Sequence, residues 1–124
     1  MKINQLIELA HNNAVRKGFW NDDKKMRDAL PDELYEIYRK ESFAAKLALI
    51  HGEVSETLED KRDNRGDNEI YFEGEKPCGI PIELADTVIR IADLAGFLGI
   101  DLEKAIKRKL LYNATRPFKH GKKL

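Results

Sequence analysis

A compact all-α bundle of four main helices is what this sequence predicts. Three observations point to it. Apolar residues recur at helical spacing through most of the chain, and no segment alternates as a core strand does. The stretch GIPIELADTVIRIADLAGFLGI, residues 79 to 100, is apolar on almost every side, as a helix packed inside a bundle is. The 124 residues, 42% hydrophobic and 35% charged, make a single charge-rich globular domain over 1–124.

The elements follow in order. Residues 2 to 17 place Ile3, Leu6, Ile7, Ala10 and Ala14 on one face, and Gly18 stops the run. Residues 19 to 31 are polar and end at Pro31, which reads as an irregular connection. Asp32 caps a short helix through Tyr38, and Ser42 caps a longer one to about Arg62, unless the two are continuous. Residues 63 to 80 hold Gly66, Gly74, Pro77 and Gly79 around the triplet IYF, a long loop with room for a brief extended piece. The third helix starts near Pro81, a good first-turn residue, and ends at Gly99. Asp101 caps a fourth helix to about Thr115, ahead of Pro117. The tail from about 117 to 124 is basic and partly irregular.

Composition excludes several classes. No apolar run approaches the ~20 residues of a membrane span, and MKINQLIELA lacks the pattern of a signal peptide. Cys78 is the only cysteine, so neither an internal disulfide nor a thiolate metal cage is available, and a cytoplasmic location is expected. Net charge is zero, yet residues 41 to 86 hold twelve acids against five bases, while 104 to 124 hold eight bases and no acid. An acidic site beside a basic segment fits nucleic-acid binding by the tail, or a metal with phosphates. The zero net charge weighs against nucleic acid. A non-catalytic helical oligomerisation module is the third class; it predicts no metal binding.

The carboxylates carry the chemistry. Glu53 and Glu56 in LALIHGEVSETLED are three apart and share a helix face, and Glu83 and Asp86 repeat the spacing on the next long helix. Glu83, Asp86, Arg90 and Asp93 fall within roughly 80° around that helix. Such a stripe is either a solvated face or a polar wall aimed into a cavity. A single E-x-x-E is usually solvated. Two pairs within apolar helices repel unless a counter-charge is present, and oxygen-only ligands favour Mg²⁺ or Mn²⁺. A di-iron bundle needs two Glu-x-x-His motifs, and only Glu8 with His11 offers one. Arg90 and Asp93 suit ion pairs between helices better than catalysis. Lys109, Asn113 and Arg116 lie at i, i+4 and i+7, one face that either grips phosphates or simply ends a helix with positive charge. The apolar third helix and the front of the second exceed what one small unit covers, so self-association is expected.

Glu53-x-x-Glu56 followed by Glu83-x-x-Asp86, HNNAVRKGFW near the start, and the ending K-x-x-x-N-x-x-R-P resemble the small single-domain MazG-like all-α nucleoside triphosphate pyrophosphohydrolases. The likeness spans most of the chain and is weakest over 21 to 41 and 62 to 77. It implies a Mg²⁺-dependent hydrolase, with Mn²⁺ as substitute, that cleaves (d)NTPs between the α and β phosphates. It implies Glu53, Glu56, Glu83 and Asp86 as metal ligands; which carboxylate acts as general base is open, and Glu56 is our choice. Lys109 and Asn113, with Arg116 on their face, would bind phosphates, and His11 and Trp20 would lie near the base. A homodimer or homotetramer is implied as well.

Overall fold

The computed structural model describes residues 1–123 and is mostly helical. Among these residues five α-helices and one small hairpin follow in order: α1 (Ile3–Arg16), α2 (Asn21–Ala29), α3 (Asp32–Arg62), β1 (Tyr71–Glu73), β2 (Lys76–Cys78), α4 (Ile80–Leu98) and α5 (Leu102–Thr115). A single 3₁₀ turn, Phe118–Gly121, has Lys119 and His120 in left-handed conformation, in keeping with a partly irregular tail. Leu124, the end of that predicted tail, lies outside the described residues.

One segment differs from expectation, and one boundary left open is closed. The segment read as an irregular connection contains α2. Its sequence NDDKKMRDA has no apolar stripe, but Asp22 and Asp23 sit in the first turn and Arg27 in the last, the polarity a helix dipole favours. Asp23, buried, accepts from the Tyr35 hydroxyl at 3.2 and 3.1 Å, tying α2 to α3. The two helices read from Asp32 and Ser42 are one helix of 31 residues. No glycine or proline interrupts it between Pro31 and Gly52, so nothing requires a break at Ser42. Asp32 is the first residue of this helix and not its cap, a place taken by Pro31 without a side-chain bond, whereas Asp101 caps α5 by accepting from the Lys104 amide at 3.0 Å and Gly99 closes α4 in left-handed conformation. The long loop contains its brief extended piece as an antiparallel hairpin pairing Tyr71 with Cys78 and Glu73 with Lys76.

The core is small and lies between α1 and α4. Ile7 and Ala10 meet Ala92 and Ala95, with Ile3, Leu6 and Leu102 packed around them. Alanines and Gly96 let the two helices approach closely: a Cβ on Gly96 would stand 2.6 Å from the His11 Cβ. Gly96→Ala is therefore expected to cost about 1–3 kcal/mol by overpacking, in excess of the helix propensity it gains. Urea unfolding checks this, and an unchanged or raised midpoint would show that α1 and α4 yield without cost.

Outside that seam the helices are sparsely covered. The one buried side chain of the whole of α3 is a carboxylate, Glu53, and α5 buries none. Leu49, Val54 and Leu58 on α3, Leu84 and Val88 on α4, and Leu110 and Leu111 on α5 are exposed. A helix that hides a glutamate and shows its leucines is organised around a polar site as well as around a core.

Candidate metal and nucleotide site

The side-by-side packing of α3 and α4 brings the two carboxylate pairs together. Glu53, Glu56 and Glu83 each offer an oxygen, and these atoms lie within 4.8 Å of one another. Asp86 is close enough to Glu53 and Glu56 to feel both charges. Glu53 and Glu83 are buried, each 9% exposed, whereas Glu56 faces solvent. The two helices share a further detail. Thr57 donates to the Glu53 carbonyl at 3.2 Å, and Thr87 to the Glu83 carbonyl at 2.9 Å, so each pair sits in a matching E-x-x-[E/D]-T turn. Glu83 is placed by the first turn of α4, where its amide donates to the Gly79 carbonyl at 3.0 Å.

Among the described residues one cation touches this cluster directly. Arg90 Nε donates to Glu53 Oε1 at 2.7 Å, the interhelical ion pair expected of that residue. It does not balance four acids. Burial, then a hydrogen bond with Glu56 and repulsion from the other carboxylates, pushes the Glu83 carboxyl up to about 7. Burial and the charge of Glu53 raise Asp86 as well, against the opposing pull of Arg90. Oxygen-only donors from two helices, within reach of one point and short of positive charge, fit a hard divalent cation.

The sign of the pH dependence follows. At pH values between the ordinary glutamate range and about 7 the folded chain holds a proton on Glu83 that the unfolded chain has released. Stability from this group is full at low pH and is lost as pH rises through 7; Asp86 acts in the same direction. The melting temperature of metal-stripped protein is expected to fall by roughly 5 °C or more from pH 5 to pH 8, and Mg²⁺ at pH 8 is expected to restore it. Melts followed by circular dichroism in EDTA and in Mg²⁺ check this. A melting point that rises with pH would contradict it.

A cavity of about 260 Å³ opens beside the cluster; Glu53, Asp86 and Arg90 line one end, and Asp93, Trp20 and Asn13 are also in its wall. Asp93 Oδ1 accepts from Trp20 Nε1 at 2.8 Å and lies 2.9 Å from His11 Nδ1, which links α4 to α1 and to the turn after it in place of the ion pair expected of Asp93. His11 and Trp20 thus come together, with ring centroids 5.6 Å apart, but not as a free stacking platform. Trp20 is buried. Phe97 stacks on it at 4.0 Å and 7°, and the Lys46 ammonium lies 4.3 Å from its ring centre. A stacked ring excludes the cation from the same face, so both faces of the indole are occupied.

Lys109, Asn113 and Arg116 are not brought to the carboxylates. Lys109 and Asn113 project from α5, which packs on α1, Arg116 follows its last residue, and none of them lines the cavity. The Lys109 ammonium and the Arg116 guanidinium lie 5.0 and 5.4 Å from the Tyr112 ring centre, and the buried Asn113 Oδ1 has no hydrogen-bond partner among the described residues. Lys46 and Asn13, which do line the cavity, escape a search for carboxylate and C-terminal motifs. Lys46 carries one readable signal, its position two turns before Glu53 on the same helix face.

Comparisons of the chain with family models, with curated proteins and with solved structures return no match.

Proposed function

We propose that this chain is a Mg²⁺-dependent nucleoside triphosphate pyrophosphohydrolase of the MazG-like type, releasing pyrophosphate and a nucleoside monophosphate. The observation that carries this reading is the convergence of Glu53, Glu56 and Glu83 within 4.8 Å, from two helices, beside a cavity of about 260 Å³ that Glu53 also lines. Glu53, Glu56, Glu83 and Asp86 would hold the ion. When bound, the ion supplies charge neutralisation for the triphosphate and acidification of water.

The chain's own residues do the rest. Glu56, the solvent-facing member of the cluster and free of the Arg90 pair, is the base that takes a proton from the water attacking the α phosphorus, while pyrophosphate departs with the bonding electrons. Arg90, 42% exposed at its side chain and lining the cavity, has guanidinium N–H groups left over for phosphate oxygens. Lys109, Asn113 and Arg116 enter this reading through a second copy of the chain. The exposed leucines of α3, α4 and α5 supply the surface for such a homodimer or homotetramer. Among the described residues no helix is long and apolar enough to cross a membrane.

A panel of dNTPs and NTPs with Mg²⁺ or Mn²⁺, products resolved, tests the proposal. Pyrophosphate release abolished by EDTA is the expected result. Release of single phosphates, or turnover undiminished in EDTA, overturns it.

A further inference from the structure

The end of the cavity away from the carboxylate cluster has a polar arrangement that hydrolysis does not require. Asp93 Oδ1 takes two hydrogen bonds, from Trp20 Nε1 and His11 Nδ1. A carboxylate oxygen accepts, so the tautomer that makes this bond carries its proton on Nδ1. Two donors from α1 and the turn after it hold the carboxylate plane, and Trp20 is itself clamped between Phe97 and Lys46. Among the described residues Oδ2 of Asp93 has no hydrogen-bond partner, and Asp93 lines the cavity, so Oδ2 is the oxygen left for whatever enters. Asn13 lines the same cavity, and its carboxamide makes no side-chain hydrogen bond among the described residues.

We infer that Asp93 determines base specificity: Oδ2 accepts from an exocyclic amino group, and the site selects amino-bearing bases over uracil and thymine. This rests on the pyrophosphohydrolase reading for the rest of the substrate. Cytosine and adenine present an amino donor at the edge where uracil and thymine present a carbonyl. A carboxylate oxygen facing that carbonyl meets acceptor with acceptor, and a buried hydrogen bond is lost. The only donor on the uracil edge, the ring N–H, lies between two carbonyls that would both crowd the carboxylate. Trp20 and His11 are positioning residues here, acting through Asp93 and not by stacking on the base.

Asp93→Asn gives the test its direction. The indole N–H is a donor only, so the amide oxygen must face Trp20 and His11. That orientation turns the amide NH₂ into the cavity in place of Oδ2. It donates to a carbonyl and repels an amino group, so the variant should reverse the ranking.

The experiment measures kcat/KM for dCTP, dATP and dTTP with Mg²⁺, and titrates dCMP and dTMP without metal, for wild type and Asp93→Asn. Wild type is expected to favour dCTP and dATP over dTTP by about tenfold or more, and the variant to favour dTTP. Equal wild-type turnover of all three, or the same ranking in both proteins, overturns the inference and leaves the proposed reaction intact. No turnover of any triphosphate, with dCMP still bound in preference to dTMP, overturns the reaction and upholds Asp93 as the reader. Neither turnover nor binding overturns both. The wild-type ranking decides even where Asp93→Asn fails to fold, and Trp20→Phe, which removes one of the two donors that hold Asp93, is expected to narrow it.

Discussion

Asp86→Asn is expected to lower pyrophosphate release on the order of a thousandfold at saturating Mg²⁺, because a hard cation in a catalytic site contributes several kcal/mol of charge stabilisation. The change keeps the side chain's size and removes one negative oxygen from the cluster facing Glu53 and Glu56. The folded protein should survive it. Burial and Glu53 already disfavour the ionised form of Asp86, so a neutral amide relieves repulsion, and metal-free protein at pH 8 is expected to melt higher than wild type. Loss of activity together with a gain in metal-free stability is the signature of a ligand. Near-wild-type turnover in the variant would remove Asp86 from the metal site.

Gly79→Ala is expected to cost about 3 kcal/mol or more, combining a strained backbone with a steric clash. Gly79 has φ +118°, and a Cβ there would clash with the Glu69 carbonyl oxygen. The glycine joins β2 to α4, and its carbonyl receives the Glu83 amide at 3.0 Å. The substitution therefore moves the start of the helix that presents Glu83. Urea unfolding should report the lost stability, and Mg²⁺ titration of the folded fraction should report weakened binding. A stability within 1 kcal/mol of wild type would show that the loop before β1 gives way at little cost.

Much of the architecture is readable from residue order because helical periodicity is local. Ile3, Leu6, Ile7 and Ala10 mark α1, Pro81 and Gly99 bracket α4, and Asp101 announces α5, each through contacts a few residues apart. The carboxylate pairs are equally legible, since i, i+3 spacing places Glu53 with Glu56, and Glu83 with Asp86, on one helix face. What escaped was α2, whose polar sequence shows no stripe and which is tethered by Tyr35 reaching Asp23 from the next helix. The continuity of α3 through Ser42 was left open for the same reason: a cap residue inside a helix looks like a cap outside one.

Residue spacing establishes an α-helical chain with two paired-carboxylate helices and a basic end, because each of these is a pattern along one helix. The pairing of faces is a matter of three dimensions. Arg90 reaches Glu53 across 37 positions, and His11 and Trp20 reach Asp93 across 82 and 73. These contacts depend on how deeply α1 can seat against α4, which Gly96 and the alanines around it allow, and on the rotation of α3 that buries Glu53 in place of its leucines. The same packing leaves Lys109 and Asn113 on α5 and Arg116 at its end, away from the carboxylates they were expected to serve. One-dimensional order records which face a side chain shares, and the crossing of helices, set by close-packed contacts far apart in the chain, selects the face it meets.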